Sequence, residues 1–470
     1  MIIRIEFFIL GEHILDIQTI LKTSNTEIHF IGIGGVSMSS LATLLHSSGH
    51  KITGSDANVN SNTEKLLANG IEVFNGHSRE NIKNPHLVVY TAAISSDNEE
   101  LCEAHAKKLP VIERSVLLGE IMRTYDFPIN VAGTHGKTTT TSMLADVFLC
   151  AKLNPTVSVG GNFSKIGGNL HIGTKKYFIC EACEYVESFL EFYPYTSIIL
   201  NIDADHLDYF RDIEHIKSAF VKFTGRTNEN GAILINGDDE NCKAIIPEIN
   251  RTVYTFGLKK GNTAYADNIT YDFTGRPSYD LYFKGELMGN ITLGVRGIHN
   301  VINSLSAALC ALLYGIDMDS IKQGLKEFTG AERRFQHKGE FNGITVYDDY
   351  AHHPTELKST LNNIKNAGYK NTFVIFQPHT YTRTYALLNE FAEVLKEAQN
   401  LIVADIYAAR EKNTIGISSQ NLTDKIPGAK YIPAFKEIEE YIKENAQPGD
   451  LVVTVGAGDV FKIGENLLKG

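Results

Sequence analysis

Val131-Ala-Gly-Thr-His-Gly-Lys-Thr-Thr-Thr140 places two glycines, a lysine and four hydroxyls directly behind an apolar run, Pro128-Ile-Asn-Val-Ala132. Met143, Leu144, Val147 and Phe148 follow at helical spacing. Strand, glycine turn, Lys-Thr and helix make a phosphate cradle. Backbone N–H groups of the turn point at anionic oxygens, Lys137 neutralises a terminal phosphate, and the Thr138 hydroxyl reaches a bound Mg²⁺. Gly133, Thr134, His135, Gly136, Lys137, Thr138 and Thr139 are therefore the expected ATP-binding loop. The usual loop of this kind has about four residues between its glycines; here there are two, Thr134 and His135.

Working outward, α/β alternation extends in both directions. Upstream, strand Ile28–Ile33 runs into the turn Gly32-Ile-Gly-Gly-Val-Ser37, with a helix over Met38–Ser48 and a second strand ending at Gly54-Ser-Asp56. Further strands are expected at Leu87–Tyr90 and Pro110–Ile112, the pattern of a Rossmann-like parallel sheet. Downstream of the cradle, strands are expected at Tyr177–Cys180, Ser197–Leu200 and Ala232–Ile235. A more β-rich passage follows over 251–295, then a helix over Val301–Tyr314. The last part alternates again, with strands at Ile344–Tyr347, Thr372–Phe376, Asn400–Ala404 and Leu451–Val455. The fold class expected is α/β in three domains: a Rossmann-like domain over 1–126, a central P-loop ATPase over 127–330 with a parallel sheet and a smaller β-rich part, and a second Rossmann-like domain over 331–470.

Bulk properties agree with several globular domains. A chain of 470 residues exceeds one ordinary core, so about two to four domains are expected. The 43% hydrophobic and 21% charged composition is that of a globular protein. A formal charge of −11 argues against a nucleic-acid partner. The run Ile5–Leu10 is short and followed by Glu12, His13 and Asp16, so neither a signal peptide nor a membrane span fits and a cytoplasmic protein is expected. A short amphipathic helix is expected for residues 1–22. Cys180 and Cys183 have CxxC spacing without a second ligand pair, which predicts reduced thiols rather than zinc.

Other clusters sit at expected strand ends, which in a parallel sheet face one crevice. The turn at Gly32, Gly34, Gly35 and Ser37, with Asp56 at the end of the next strand, suits an NAD site, a nucleotide diphosphate such as a UDP-sugar, or a purely structural turn. Beside an ATP cradle, it suggests ATP-driven chemistry on a nucleotide-linked substrate. Glu181, Glu184, Asp203, Asp205 and His206 can converge beside the cradle; oxygen donors plus an imidazole suit Mg²⁺ or Mn²⁺. His299 and Asn300 offer a flat ring and an amide to a purine, or Asn300 simply caps a helix. Arg333 and Arg334 lie at the join of the second and third domains. His352, His353 and His379 can hold or deprotonate an amine near neutral pH, and Arg383 can grip a carboxylate in bidentate fashion. The loops Asp405–Lys412 and Gly456–Asp459 are read as substrate-facing.

In this order, the segments Ile31–Met38, Gly133–Thr139, Asn201–His206, His299-Asn300, Arg333–Phe335, Asp348–Glu356, Phe376–Thr384 and Asp405–Lys412 resemble the Mur ligases, from about residue 27 to the end of the chain. The two-residue gap in the cradle is a trait of that family. The clusters at 348–356 and 376–384 are nearest to the member that joins L-alanine to UDP-N-acetylmuramate. The resemblance implies a UDP-binding first domain, ATP and Mg²⁺ at the second, and amino-acid recognition at the third. It implies that Lys137 holds phosphates, that Thr138, Glu181 and His206 surround metal ions, and that His299, Asn300 and Asn303 lie by the adenine. Arg334 and Asp349 would approach ATP across the join, and Tyr350, His352, His379 and Arg383 would face L-alanine. His352 or His353 is the expected handler of the amine proton. Two departures stand out: Thr380 occupies a position that is Arg in some members, and Glu181-Ala-Cys-Glu-Tyr-Val186 replaces an EADESD segment. Some relatives carry a carbamylated lysine near the metal; Lys217 and Lys222 are near in sequence. Two rival readings are a recycling ligase that takes a tripeptide in place of L-alanine, and an NAD-dependent oxidoreductase or nucleotide sensor, which leaves the cradle unexplained.

Overall fold

The structure, a computed structural model, describes residues 9–10, 13–14, 16–206, 209–409 and 411–469. Among these residues there are three large sheets and a two-stranded antiparallel ladder, Ile9–Leu10 with His13–Ile14. The helix expected over residues 1–22 is thus corrected: it spans only Ile17–Lys22, started by Asp16, whose carboxylate accepts from Thr19 N at 2.6 Å. Residues 1–8 of that expectation lie outside the described residues. No helix among the described residues is long and apolar enough to cross a membrane.

The first sheet is wholly parallel, in the order Glu72–Asn75, Lys51–Asp56, Glu27–Ile31, Leu87–Tyr90, Val111–Glu113. Its first strand stops at Ile31, two residues before the expected end. Gly32 N and Ile33 N both turn to Ser55 O, at 2.8 and 2.9 Å, and feed helix Val36–Ser47.

The second sheet has ten strands. Strand Phe127–Ala132 lies between Tyr177–Ala182 and Thr196–Ile199, parallel to both, so strand order reverses on either side of it. That is the switch point at which ligands bind in α/β sheets. The expected β-rich passage continues this sheet. Thr252–Gly257 pairs in parallel with Ala232–Asn236, and Ala264–Tyr271, Pro277–Phe283 and Glu286–Thr292 continue the same sheet. At the other edge, Thr156–Phe163 and Gly168–His171 form a hairpin that the sequence does not announce, because Gly160-Gly161 interrupts any alternating pattern. Helix Lys137–Cys150 is buried from Thr140 to Phe148, enclosed by the sheet and by helices Ile298–Leu313 and Met318–Glu327.

The third sheet runs Gln336–Phe341, Ile344–Asp349, Leu451–Val455, Thr372–Phe376, Leu401–Val403, Lys430–Tyr431, antiparallel only at its first edge. The connection into it is held tightly. Arg333 and Phe335 take left-handed conformations, φ 60° and 45°, each costing on the order of 1 kcal/mol. They are fixed by Tyr350 N donating to Arg333 O at 2.6 Å and Phe335 N donating to Asp349 Oδ2 at 3.0 Å.

Candidate active site

The cradle forms where the buried strand Phe127–Ala132 hands over to helix Lys137–Cys150. Gly136 adopts φ 84° at the helix start, and a Cβ there would also stand 2.9 Å from Asn303 Oδ1. Lys137 lies back along the loop. Its Nζ donates to Gly133 O at 2.5 Å, Thr134 O at 3.1 Å and Glu184 Oε2 at 2.9 Å. Burial opposes its charge, but Glu184 outweighs that and holds the ammonium well above its ordinary range. Beside it, Glu181 accepts from Gly160 N at 2.6 Å and from Thr138. Burial pushes its carboxyl above the usual range, against those hydrogen bonds.

The acidic cluster expected beside the cradle is there, with each carboxylate given a specific partner. Glu184 takes Lys137. Asp203 Oδ2 takes His135 Nε2 at 3.1 Å, and Asp205 Oδ1 takes Arg383 Nη2 and Nε at 3.0 and 3.2 Å. The last pair crosses from the central to the C-terminal domain. So do the Thr355 hydroxyl on Asp203 Oδ2 at 2.8 Å and His353 Nε2 on Ala204 O at 3.2 Å. Arg383 is therefore not an open carboxylate clamp: both hydrogen bonds fall on one oxygen of Asp205, and its Nη1 faces His379 Nδ1 at 3.2 Å. Burial opposes ionisation of Asp205, but Arg383 holds it well below the carboxylate range.

Glu356 is the functional candidate that sequence reasoning left without a role. Its Oε2 accepts from His352 N at 3.0 Å, and its Oε1 lies 3.6 Å from His135 Nδ1 and 3.5 Å from Arg334 Nη1. Its place four residues after His352 was the available signal. The two histidines expected to handle a proton are separated by their bonds. His353 donates from Nε2 to Ala204 O and accepts at Nδ1 from Thr355 N at 3.4 Å, as a helix cap. Its ring is committed, so it is unsuited to be a base. His352 Nδ1 faces Tyr350 O at 3.0 Å, which leaves Nε2 as the basic atom, and burial keeps its pKa below the ordinary value.

His135 is pushed the other way. Burial opposes its charge, but Asp203 and Glu356 outweigh it and raise its pKa to about 9. This folded value lies above 6.5, so the interdomain stabilisation is complete below pH 6.5 and is lost as pH rises through about 9. The radius of gyration by small-angle scattering, without nucleotide, is expected to grow across that window. His135→Gln should show no such step; equal growth in both proteins would remove His135 as the cause.

A cleft of about 900 Å³ opens between the two domains, lined by His135, Gly136, His299, Asn303, Arg334 and Asp349 among others. Burial holds His299 neutral, its pKa lowered to about 4 with Arg334 acting in the same sense. Asn303 Nδ2 donates to Asn300 Oδ1 at 3.2 Å and Asn300 Nδ2 to Arg296 O at 2.7 Å. Asp349 is buried and pushed up to about 6, with Arg334 working against the rise. Arg333 belongs to the C-terminal core instead: it donates to Asp348 Oδ2, Gly456 O and Gly458 O at 2.8, 2.6 and 3.1 Å.

The metal candidates are only partly assembled. Thr138 and Glu181 meet, whereas His206 packs on the Tyr185 ring at 4.6 Å between centroids. Lys217 and Lys222 pair with Glu214 at 2.8 Å and Glu187 at 2.9 Å. At the N-terminal turn, Asp56 braces the loop: Oδ2 accepts from Gly34 N at 2.9 Å and Oδ1 from Asn58 N at 3.1 Å. Helix Val36–Ser47 starts at Gly35 with no side-chain cap, so Ser37 and its neighbours present free amide donors, the arrangement that receives an anion. The hairpin Thr156–His171 reaches this helix through Asn169, which donates to Ser40 Oγ at 2.7 Å. Beyond Asp405, Arg410 lies outside the described residues; Glu411 Oε2 accepts from Thr382 N at 3.0 Å.

Family models match the chain in three pieces: Mur ligase family, catalytic domain, over residues 27–126; Mur ligase middle domain over 131–311; and Mur ligase, glutamate ligase domain, over 333–458. The UDP-N-acetylmuramate–L-alanine ligase of Acetivibrio thermocellus is 49% identical, over 94% of this chain and 96% of that one. Among solved structures, the UDP-N-acetylmuramate-alanine ligase of Thermotoga maritima superposes with a TM-score of 0.79 at 29% identity, covering 95% of this chain and 99% of that chain. A murein peptide ligase from Psychrobacter arcticus gives 0.73 at 24% identity, over 95% and 98% of the two chains, a likeness of fold. Cradle, cleft and three-sheet architecture agree with these matches, and the chain belongs to the Mur ligase family, whose members are ATP-dependent ligases.

Proposed function

We propose that the chain joins L-alanine to the lactyl carboxylate of UDP-N-acetylmuramate at the expense of ATP, through an acyl phosphate. One observation carries this: the phosphate cradle and the His352–His379–Arg383 cluster meet across a single interface, with the His135 and His353 rings 5.0 Å apart between centroids. Activated carboxylate and incoming amine can therefore be brought together at that interface. A carboxylate is a poor electrophile, and its phosphorylation creates a leaving group.

In this reading Lys137 leaves Glu184 for the γ-phosphate and steadies it as it moves onto the carboxylate. Gly133–Thr139 amides hold the β-phosphate. His299, Asn300 and Asn303 flank the adenine, while Arg334, from the linker, and Asp349, from the end of strand Ile344–Asp349, close over ATP. The turn at Gly32, Gly34, Gly35 and Ser37 takes the UDP diphosphate, with Asp56 bracing it. Tyr350, His379 and Arg383 bound the L-alanine pocket, and His352 Nε2 takes the amine proton as the tetrahedral intermediate forms. The domain limits proposed are 1–126, 127–330 and 331–470.

The residues present suit Mg²⁺ or Mn²⁺. Glu181 is a partly buried carboxylate whose pKa is raised by desolvation, beside the Thr138 hydroxyl, and such ions take one or two carboxylates with phosphate and water. Thr138 and Glu181 would hold the ion, with His206 joining them on swinging off the Tyr185 ring, and the ion would supply charge neutralisation on the phosphates when bound. A Cβ at Gly160 would stand 2.6 Å from Glu181 Oε2. Gly160→Ala is therefore expected to displace Glu181 and raise the Mg²⁺ concentration needed for half-maximal phosphate release by about 10–100-fold. An unchanged Mg²⁺ dependence would remove Glu181 from the metal's ligands.

The substrate assignment is tested by phosphate release with UDP-N-acetylmuramate and ATP against L-alanine, glycine, L-serine and the tripeptide. L-Alanine is expected to give the highest kcat/KM. Release driven by tripeptide in preference to L-alanine would replace this reading with the recycling ligase. A thermal shift with NADH but none with ATP would restore the oxidoreductase reading.

A further inference from the structure

The geometry points to a second metal site, distinct from the phosphate ion, in which His135, Asp203 and His353 seat a borderline divalent cation such as Zn²⁺ and staple the C-terminal domain onto the central one. One donor atom from each residue lies within 4.8 Å of the other two, the one such set of His, Cys, Asp and Glu side chains among the described residues. His135 Nε2 is 3.1 Å, and His353 Nδ1 4.0 Å, from the same atom, Asp203 Oδ2. Tetrahedral zinc, with bonds of about 2.0–2.1 Å, sets its ligand atoms about 3.3 Å apart. The observed separations bracket that value, so small side-chain rotations suffice.

The outer partners support the assignment independently. A ligating histidine donates its other ring N–H to a carboxylate or a backbone carbonyl, which fixes ring and tautomer. His353 does so here, and His135 has a carboxylate at ion-pair distance. His135 Nδ1 faces Glu356 Oε1 at 3.6 Å, and His353 Nε2 donates to Ala204 O at 3.2 Å. The nitrogens left over are the two that converge on Asp203. Bound metal would replace the His135 Nε2 hydrogen bond to Asp203 Oδ2, 3.1 Å, with release of that proton, and displace the long Thr355 N contact at His353 Nδ1, 3.4 Å, while the Thr355 hydroxyl keeps its 2.8 Å bond to Asp203 Oδ2.

Two imidazoles and one carboxylate select zinc-like ions over Mg²⁺, which prefers all-oxygen surroundings. Three protein ligands leave a fourth position for water or a phosphate oxygen. His135 and Asp203 belong to the central domain and His353 to the C-terminal one, so the site exists only while the domains are together. Occupied, it holds them there, which would make zinc an inhibitor of any cycle that needs reopening. This inference stands apart from the choice of substrate.

The test uses the full chain without nucleotide in excess Mg²⁺, titrated with Zn²⁺ against a chromophoric chelator and, in parallel, with Co²⁺. The expected result is one tight equivalent, tetrahedral Co²⁺ bands without thiolate charge transfer, and a smaller radius of gyration on Zn²⁺ addition. His353→Gln and His135→Gln, on different domains, should each weaken binding by about 100-fold or more, and Glu181→Gln should leave it intact. No tight equivalent, thiolate bands, survival of binding in both histidine variants, or its loss in Glu181→Gln would each overturn the proposal.

Discussion

Lys137→Met is expected to lower the rate of ADP release by about 10³-fold, the scale of losing one preorganised donor at a developing charge. The same substitution should lower stability. Lys137 is the partner of Glu184, which is only 2% exposed, at 2.9 Å. Removing the cation strands a buried carboxylate, at a cost of about 3–5 kcal/mol. The two effects can be separated, because Glu184→Gln in the same chain removes the stranded charge. The double variant Lys137→Met/Glu184→Gln is expected to regain most of the denaturation midpoint and none of the turnover. If turnover returned with stability, Lys137 would be a structural residue and the phosphoryl-transfer account would fail.

The second large effect concerns His352. Its Nδ1 is held by Tyr350 O at 3.0 Å and lies 3.3 Å from Glu356 Oε2, and its pKa is lowered by burial and Arg383, so it is neutral at pH 7. His352→Gln is expected to slow amide formation by about 10²–10⁴-fold, the range for loss of a general base. Carboxylate phosphorylation should proceed. Hydroxylamine, a nucleophile that needs less help with its proton, should therefore still yield hydroxamate with the variant. Equal losses in both reactions would move His352 from proton transfer to the first step or to folding. His353→Gln, in contrast, should act mainly on domain association, because its ring already bonds Ala204 O and caps helix Pro354–Asn366.

Much of the fold could be read in the sequence because parallel strands buried on both faces are near-continuous apolar runs. Phe127–Ala132, Leu87–Tyr90, Thr372–Phe376 and Leu451–Val455 all stand within a residue of where their apolar runs put them. What escaped was structure specified by partners rather than by pattern. The hairpin Thr156–Phe163 with Gly168–His171 is interrupted by Gly160-Gly161, of which Gly160 is required by the approach of Glu181. The ladder of Ile9–Leu10 with His13–Ile14 defeats a helical reading of those four residues.

At the site, the cradle was legible because its chemistry is local. The roles of Asp203, Asp205 and Glu356 were not, since the partners that define them across the domain interface lie up to 221 positions away. Glu356 and His135 illustrate the upper end, meeting across the domain interface at 3.6 Å. Arg334 lies 22 positions before Glu356 and reaches it at 3.5 Å. Arg383 was legible as a charge in a binding cluster. Its partner Asp205, 178 positions earlier, appears only when the two domains are together.

The central claim is that ATP is spent on the substrate's carboxylate. It is tested most directly by labelling the lactyl carboxylate of UDP-N-acetylmuramate with ¹⁸O and analysing the phosphate released during ligation of L-alanine. An acyl phosphate predicts that each phosphate carries one ¹⁸O from the carboxylate. Amide formation with unlabelled phosphate would contradict the account.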